Sequence, residues 1–276
     1  MRRVQYKWLG KTWTMDLHSP GDPVSDAFST PNAMALIPWN LASRQGCFVD
    51  VGAHVGTVAV HASPFFKSVL AFEPEARNLK LLQDNILQNK LPNIAVVPKA
   101  VSDRSGTTTF YISDSVDTSR NSLMPSKSGG TVDVPLVSLD DAFASEYKQL
   151  LPLAFIKIDV EGFEPQVIKG AAKTISSQTI KPIMTVEFAP ARWVKNEDDF
   201  AWLIEFLRAQ AYIPYLPTSG FISPITIDML AELYRSWKGL PYEAWVDLVL
   251  IPADRSSSAH ISNAYGLALK MFQQIG

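Results

Sequence analysis

Phe48-Val49-Asp50-Val51-Gly52-Ala53-His54-Val55-Gly56 is the stretch on which the reading of this chain turns. Its first half belongs to an apolar run from Cys47 to Val51 that stops at Gly52, the pattern of a short parallel strand buried on both faces. Its second half has the spacing Asp-x-Gly-x-x-x-Gly. The glycines let the backbone turn sharply and approach a ligand with no Cβ in the way. The helix expected over His54 to Phe65 would begin with unpaired N–H groups beside that turn. A dinucleotide site calls for Gly-x-Gly-x-x-Gly, and that pattern is absent. Asp50 would repel a diphosphate and attract an amino group or a sulfonium.

Working outward, strand and helix patterns alternate. Ser68 to Phe72 reads as a second strand, Glu75 to Lys90 as a helix, and Asn93 to Val97 as a third strand. Phe155 to Asp159 reads as a fourth, followed by a helix over Glu164 to Thr174. Ile183 to Glu187 is a fifth, followed by an amphipathic helix over Asp198 to Gln210. Tyr212 to Tyr215 and Trp245 to Ile251 are two further strands, and Thr107 to Ile112 and Val132 to Val137 look like additions. Such alternation predicts an α/β fold whose parallel sheet is covered by helices on both faces. Its ligands would bind at the carboxyl ends of the strands. Before this core, Val4 to Leu17 predicts two short strands around Leu9-Gly10-Lys11, and Ala33 to Arg44 a weakly amphipathic helix interrupted by Pro38.

The acids at the strand ends follow from that rule. Glu73 in Phe72-Glu73-Pro74 ends the second strand, where a carboxylate can accept both hydroxyls of a ribose; a helix N-terminal acid would look the same. In the fourth strand, period-two geometry puts Phe155, Lys157 and Asp159 on one face. A lysine there needs a partner, Asp159 or Asp50. Glu187 ends the next strand, so Asp159, Glu161 and Glu187 are expected to converge at one mouth, with at least one of Glu161 and Glu164 expected to cap a helix. These three acids could instead hold a hard divalent cation, but no ligand spacing in the sequence indicates a metal.

The totals bound the function. The chain has 276 residues, 47% hydrophobic and 19% charged, with a formal net charge of −2, so no global electrostatic reason exists to expect a nucleic-acid partner. The single cysteine, Cys47, excludes an intrachain disulfide and a cysteine-based zinc site. No stretch approaches the roughly 20 apolar residues of a membrane span, and Met1-Arg2-Arg3 is not followed by a signal-peptide core. A cytoplasmic enzyme is the expectation. Trp193, Trp202, Trp237 and Trp245 could stack on a sugar or simply pack.

Five blocks in order then resemble the FkbM family of class I methyltransferases: Phe48 to Gly56, Ala71-Phe72-Glu73-Pro74, Lys99-Ala100-Val101-Ser102-Asp103, Val137-Ser138-Leu139-Asp140, and Ile156 to Gly162. The resemblance implies a Rossmann-like class I methyltransferase fold with a mostly parallel seven-stranded sheet. Residues 46–276 would form the cofactor-binding domain and residues 1–45 an N-terminal appendage. It further implies S-adenosylmethionine as cofactor and O-methylation of a sugar or small natural product. By that pattern Asp50, Gly52, Ala53, His54 and Gly56 surround the methionine part, and Glu73 with Pro74 takes the ribose. Ala100 and Val101 border the adenine, Ser102 or Asp103 lies near its amino group, and Asn78 and Ser122 are neighbours. His54 stands where the family usually has asparagine. Asp159 is the first choice for a base, with Glu187 and Glu161 behind it; His54 is a rival by its pKa range. His18, His61 and His260 are read as structural. The polar stretch Ser113 to Gly130 is expected either to fold over the acceptor, with Arg120 as an anion contact, or to be a disordered surface loop. An N-methyltransferase and an inactive binding module are the alternative functions.

Overall fold

The computed structural model describes residues 2–18, 38–112, 122–124, 129–193, 197–218, 221–242, 244–257 and 261–262. Arg120, His260, residues 33–37 of the predicted segment 33–44, and most of the predicted segment 113–130 lie outside them. In chain order the strands and helices are β1 (Arg2–Trp8), β2 (Lys11–Leu17), β3 (Cys47–Val51), α1 (Thr57–Ala62), β4 (Ser68–Phe72), α2 (Ala76–Asn89), β5 (Ile94–Val97), β6 (Ala100–Val101), β7 (Gly106–Tyr111), β8 (Thr131–Val137), α3 (Leu139–Ala144), β9 (Leu153–Ile158), α4 (Glu164–Lys169), α5 (Ala172–Ser176), β10 (Ile183–Phe188), α6 (Pro190–Trp193), α7 (Glu197–Ala209), β11 (Tyr212–Thr218), β12 (Phe221–Pro224), α8 (Ile227–Trp237) and β13 (Val246–Pro252). No helix among the described residues is long and apolar enough to cross a membrane.

The main sheet has eight strands in the order β12-β11-β13-β10-β9-β3-β4-β5. The five from β10 to β5 are mutually parallel, whereas β13 is antiparallel to β10 and β11, and β12 is antiparallel to β11. This corrects the expectation of seven mostly parallel strands: the sheet is larger and mixed. The extra strand arises because β11 runs past β13 and folds back on itself through β12, a hairpin with no apolar periodicity strong enough to announce it. The additions β7 and β8 pair antiparallel and, with the two-residue β6, make a separate three-stranded sheet.

Alternation sorts the sheet's side chains onto two cores. Val49, Val51, Ile156, Ile158, Met184 and Val186 enter one, with α4, α5, α7 and α8. Phe48, Phe155, Ile183 and Val249 enter the other, and the rings of Phe48 and Phe155 stack at 5.1 Å across β3 and β9. Toward the carboxyl ends this second face turns polar. Asp50, Lys157, Thr185 and Val249 occupy one rung across four neighbouring strands. One step further, Glu187 pairs with Asp247, while Asp159 follows Ile158, the partner of Val186.

Two expected helices are shortened. The first starts at Thr57 rather than His54, because His54 and Gly56 have φ of 52° and 88° and the chain is still in a left-handed loop. The helix after β9 breaks between α4 and α5 at Gly170, where an added Cβ would lie 2.0 Å from the Ser102 carbonyl oxygen. The N-terminal strands form the predicted hairpin, turning through left-handed Leu9 and Gly10. Its Trp8, Trp13, Met15 and Leu17 are buried in the core they share with Phe48 and Phe65. The seam to α2 is polar and built largely by Asn85, which is fully buried. Its Oδ1 accepts the Asp16 N–H at 2.6 Å, and its Nδ2 donates to the carbonyls of Asp16 at 2.9 Å and Val55 at 2.8 Å.

Asn85→Ala strips partners from three buried backbone groups at once, so it should lower unfolding free energy by about 2–4 kcal/mol. Urea denaturation checks this; a loss under half of the lower figure would mean that water replaces the amide.

Candidate active site

The glycine loop leaves β3 with three left-handed residues, Gly52, His54 and Gly56. At Gly52, φ 79°, a Cβ would sit 1.9 Å from the Asp159 carbonyl oxygen, so the sheet closes directly over the turn. Glu73, at the end of β4, holds the loop from the other side. Its Oε2 accepts the His54 N–H at 2.8 Å, and its Oε1 accepts the Glu75 N–H at 2.9 Å and the Asn78 Nδ2 at 3.2 Å. Burial pushes the Glu73 carboxyl up to about 7 against these hydrogen bonds. Asp50 lies beneath the loop, wholly buried, with neither carboxylate oxygen hydrogen-bonded. Its partner is the Lys157 ammonium at 3.5 Å, and burial raises its pKa despite that cation.

Lys157 joins this loop to the acids beside it. Its Nζ donates to the Gly52 carbonyl at 2.8 Å and pairs with Asp159 at 3.3 Å as well as Asp50. Burial opposes the ammonium charge, but Asp159 and Asp50 outweigh it and hold Lys157 protonated. The lysine predicted to need Asp159 or Asp50 takes both.

The carboxylates of Asp159, Glu161 and Glu187 converge to within 4.8 Å, as the strand-end rule predicted. Arg192 of α6 stands between two of them, 2.7 Å from Glu161 and 2.5 Å from Glu187. Its guanidinium also donates to the Tyr242 carbonyl at 3.2 Å and lies 4.7 Å from that ring's centre. Arg192 thus supplies the positive charge that a cation would bring to these two acids. Burial and the charges of Asp159, Glu164 and Glu161 push the Glu187 carboxyl up to about 10, with Arg192 opposing them. Glu164 shapes the turn before α4: it accepts the N–H groups of Val160 and Gly162 and, at 2.7 Å, the Trp193 indole. Glu161 and Gly162 are left-handed there.

The remaining predicted residues divide. Ala53 and Pro74 lie in the loop and at the β4 end, and Asn78 is buried beside Glu73. Ala100, Val101 and Ser102 are buried along β6, where the Ser102 N–H bonds the Val137 carbonyl. Ser122 instead donates to the Glu161 carbonyl at 2.9 Å, tying the end of β7 to the acid-bearing turn. His61 is structural as expected, buried against Thr57 and Tyr6. His18 has partners that the sequence did not show: its Nε2 meets Asn78 Oδ1 at 2.8 Å and its ring lies 5.5 Å from that of His54. Sequence reasoning also missed Arg192 and Asp247, since neither sits in a motif. The only available signal was the strand pattern around Asp247.

The methyltransferase FkbM domain family matches residues 50–214 of this sequence, more than half of the chain. Among solved structures, the methyltransferase FkbM of Methylobacillus flagellatus is 16% identical over 80% of this chain and 51% of its own, with a TM-score of 0.45. The chain therefore spans about half the length of that protein. A Streptococcus mutans methyltransferase in complex with SAH is 9% identical over 80% of this chain and 98% of its own, with a TM-score of 0.44. The M. jannaschii TYW2 in complex with AdoMet is 12% identical over 90% of this chain and 84% of its own, with a TM-score of 0.40. No curated protein matches significantly. The chain belongs to the FkbM methyltransferase family and has the class I methyltransferase fold.

Lys157→Met leaves Asp50 buried without its cation and should cost about 3–5 kcal/mol. Adding Asp50→Asn should restore part of that loss. Guanidinium unfolding of the two single variants and the double variant checks this; strictly additive losses would show that the pair does not interact.

Proposed function

We propose that this chain is an S-adenosylmethionine-dependent methyltransferase acting on a hydroxyl oxygen of a sugar or small natural-product molecule. The observation that carries the reading is the left-handed loop braced by Glu73 above the buried Asp50, whose nearest donor is the Lys157 ammonium at 3.5 Å. An acid so thinly partnered suits a ligand that brings a positive charge or donors. Gly52, Ala53, His54 and Gly56 would border the methionine part with Asp50. Glu73, positioned by Asn78, would take the ribose through its remaining lone pair, and Ala100 to Ser102 would flank the adenine. Bound there, the cofactor supplies an electrophilic methyl group on a sulfonium.

The chain's own contribution is alignment and proton handling, since a displacement needs acceptor oxygen, methyl carbon and sulfur in line. Asp159, held by Lys157 yet 44% exposed, would accept a hydrogen bond from the acceptor hydroxyl. Glu161 and Glu187, locked by Arg192, form a polar wall that suits hydroxyl donors. Tyr242 and Trp245, both exposed beside this wall, offer faces for an acceptor ring.

Calorimetry with S-adenosylhomocysteine should show binding to the purified protein, and labelled cofactor with a panel of methyl glycosides should show transfer. Absence of binding by a folded protein removes the reading. The Glu73 carboxyl also predicts a pH dependence. A ribose hydroxyl donates to the ionised form, so affinity should rise as pH passes through about 7. In the ligand-free protein the sign reverses. The folded state keeps this proton from the ordinary 4.5 up to about 7, so stability should fall across that window. Glu73→Gln should abolish both trends and weaken binding about 10- to 100-fold.

A further inference from the structure

The rung of acids contains one member with no cation in direct contact among the described residues. Asp159 is paired with Lys157, and Glu187 with Arg192. Asp247 is the cross-strand partner of Glu187, and among the described residues it has neither a hydrogen bond nor an ion pair. The residue is exposed overall, while its carboxyl is desolvated by the groups packed along the rung. The exposure has a structural cause. The last rung of β11 against β13 is Tyr215–Val249, two residues short of Asp247, after which β11 turns to β12.

We propose that Asp247 is the base that receives the acceptor's proton, an inference that rests on the methyltransferase reading above. As the acceptor oxygen bonds to the methyl carbon, the carbon–sulfur bond breaks and its electron pair stays on sulfur. The hydroxyl proton passes to the Asp247 carboxylate, and then to solvent through the open side of β13. The other acids of the rung serve less well. Asp159 already shares its carboxylate with the Lys157 ammonium at 3.3 Å. Glu187 is engaged by the Arg192 guanidinium at 2.5 Å. The groups facing Asp247 are Asp159 and Lys157 from β9 and Glu187 from β10; β11 brings only Leu216 and Pro217 to this level. Crowding by the protein and the Asp159 charge push its carboxyl up to about 6, with Lys157 opposing. A base in that range is both ionised and competent near neutrality. Trp245, 52% exposed and two residues earlier, offers an apolar surface next to it.

The first test needs no acceptor. Carbon-13 NMR of protein labelled at the aspartate carboxyls, with S-adenosylhomocysteine bound, should show one signal titrating near pH 6 that is absent from Asp247→Asn. If the signal lost in that variant titrates in the ordinary aspartate range of about 4, the proposal is overturned. The second test is turnover with the acceptor found in the glycoside panel. Asp247→Asn should lower kcat about 100-fold or more, leave S-adenosylhomocysteine affinity unchanged and remove the acid limb of the kcat/KM profile. Asp247→Glu should restore that limb. Turnover within threefold of wild type, with the limb intact, rejects Asp247 as the base while leaving the methyltransferase reading in place. Failure of the wild-type protein to bind S-adenosylhomocysteine removes both.

Discussion

The ammonium of Lys157 is the interaction on which the site depends. A lysine in the middle of a sheet is costly to bury, yet here it reaches two carboxylates and a backbone carbonyl from one atom. Asp50 keeps a partner only because Lys157 is beside it, and the Gly52 carbonyl is held by the same group. Since Asp159 is the third partner, the loop at one end of the cleft and the acids at the other are set by a single side chain. Buried ion networks of this kind do little for net stability and much for geometry.

Two glutamates perform the same structural task on either side of that lysine. Glu73 gathers the N–H groups of His54 and Glu75, and Glu164 those of Val160 and Gly162. Each carboxylate stabilises a turn containing a left-handed residue other than glycine, His54 in one and Glu161 in the other. Left-handed backbone costs roughly 1–2 kcal/mol for such residues, and charge-assisted hydrogen bonds from buried amides offset it. The cleft is therefore shaped by acids that face the backbone and functionalised by acids that face outward. Arg192 separates the two sets: it pairs with Glu161 and Glu187 while Glu164, close by, is occupied by amides and the Trp193 indole.

Much of the fold was legible because buried parallel strands write themselves as apolar runs ending in glycine or acid. Cys47 to Val51, Ser68 to Phe72 and Ile183 to Glu187 were read within a residue of their bounds. The helix start at Thr57 and the break at Gly170 were not legible. Each is imposed by a distant contact: the left-handed loop under Asp159 in one case, the Ser102 carbonyl in the other. The β12 hairpin extension and the helix α8 also escaped notice, the former because four residues carry too short a period.

By itself the sequence determined the α/β class, the glycine loop with its flanking carboxylate, and the convergence of Asp159, Glu161 and Glu187, because all of these follow from local periodicity and strand-end position. Only the tertiary structure decided which acids are balanced by a cation. Lys157 meets Asp50 through strand register across 107 positions of sequence order, and Arg192 and Asp247 meet Glu187 from a following helix and an antiparallel neighbour. Charge pairing depends on distances of a few ångströms between strands, and those distances are set by sheet order, which no local pattern encodes.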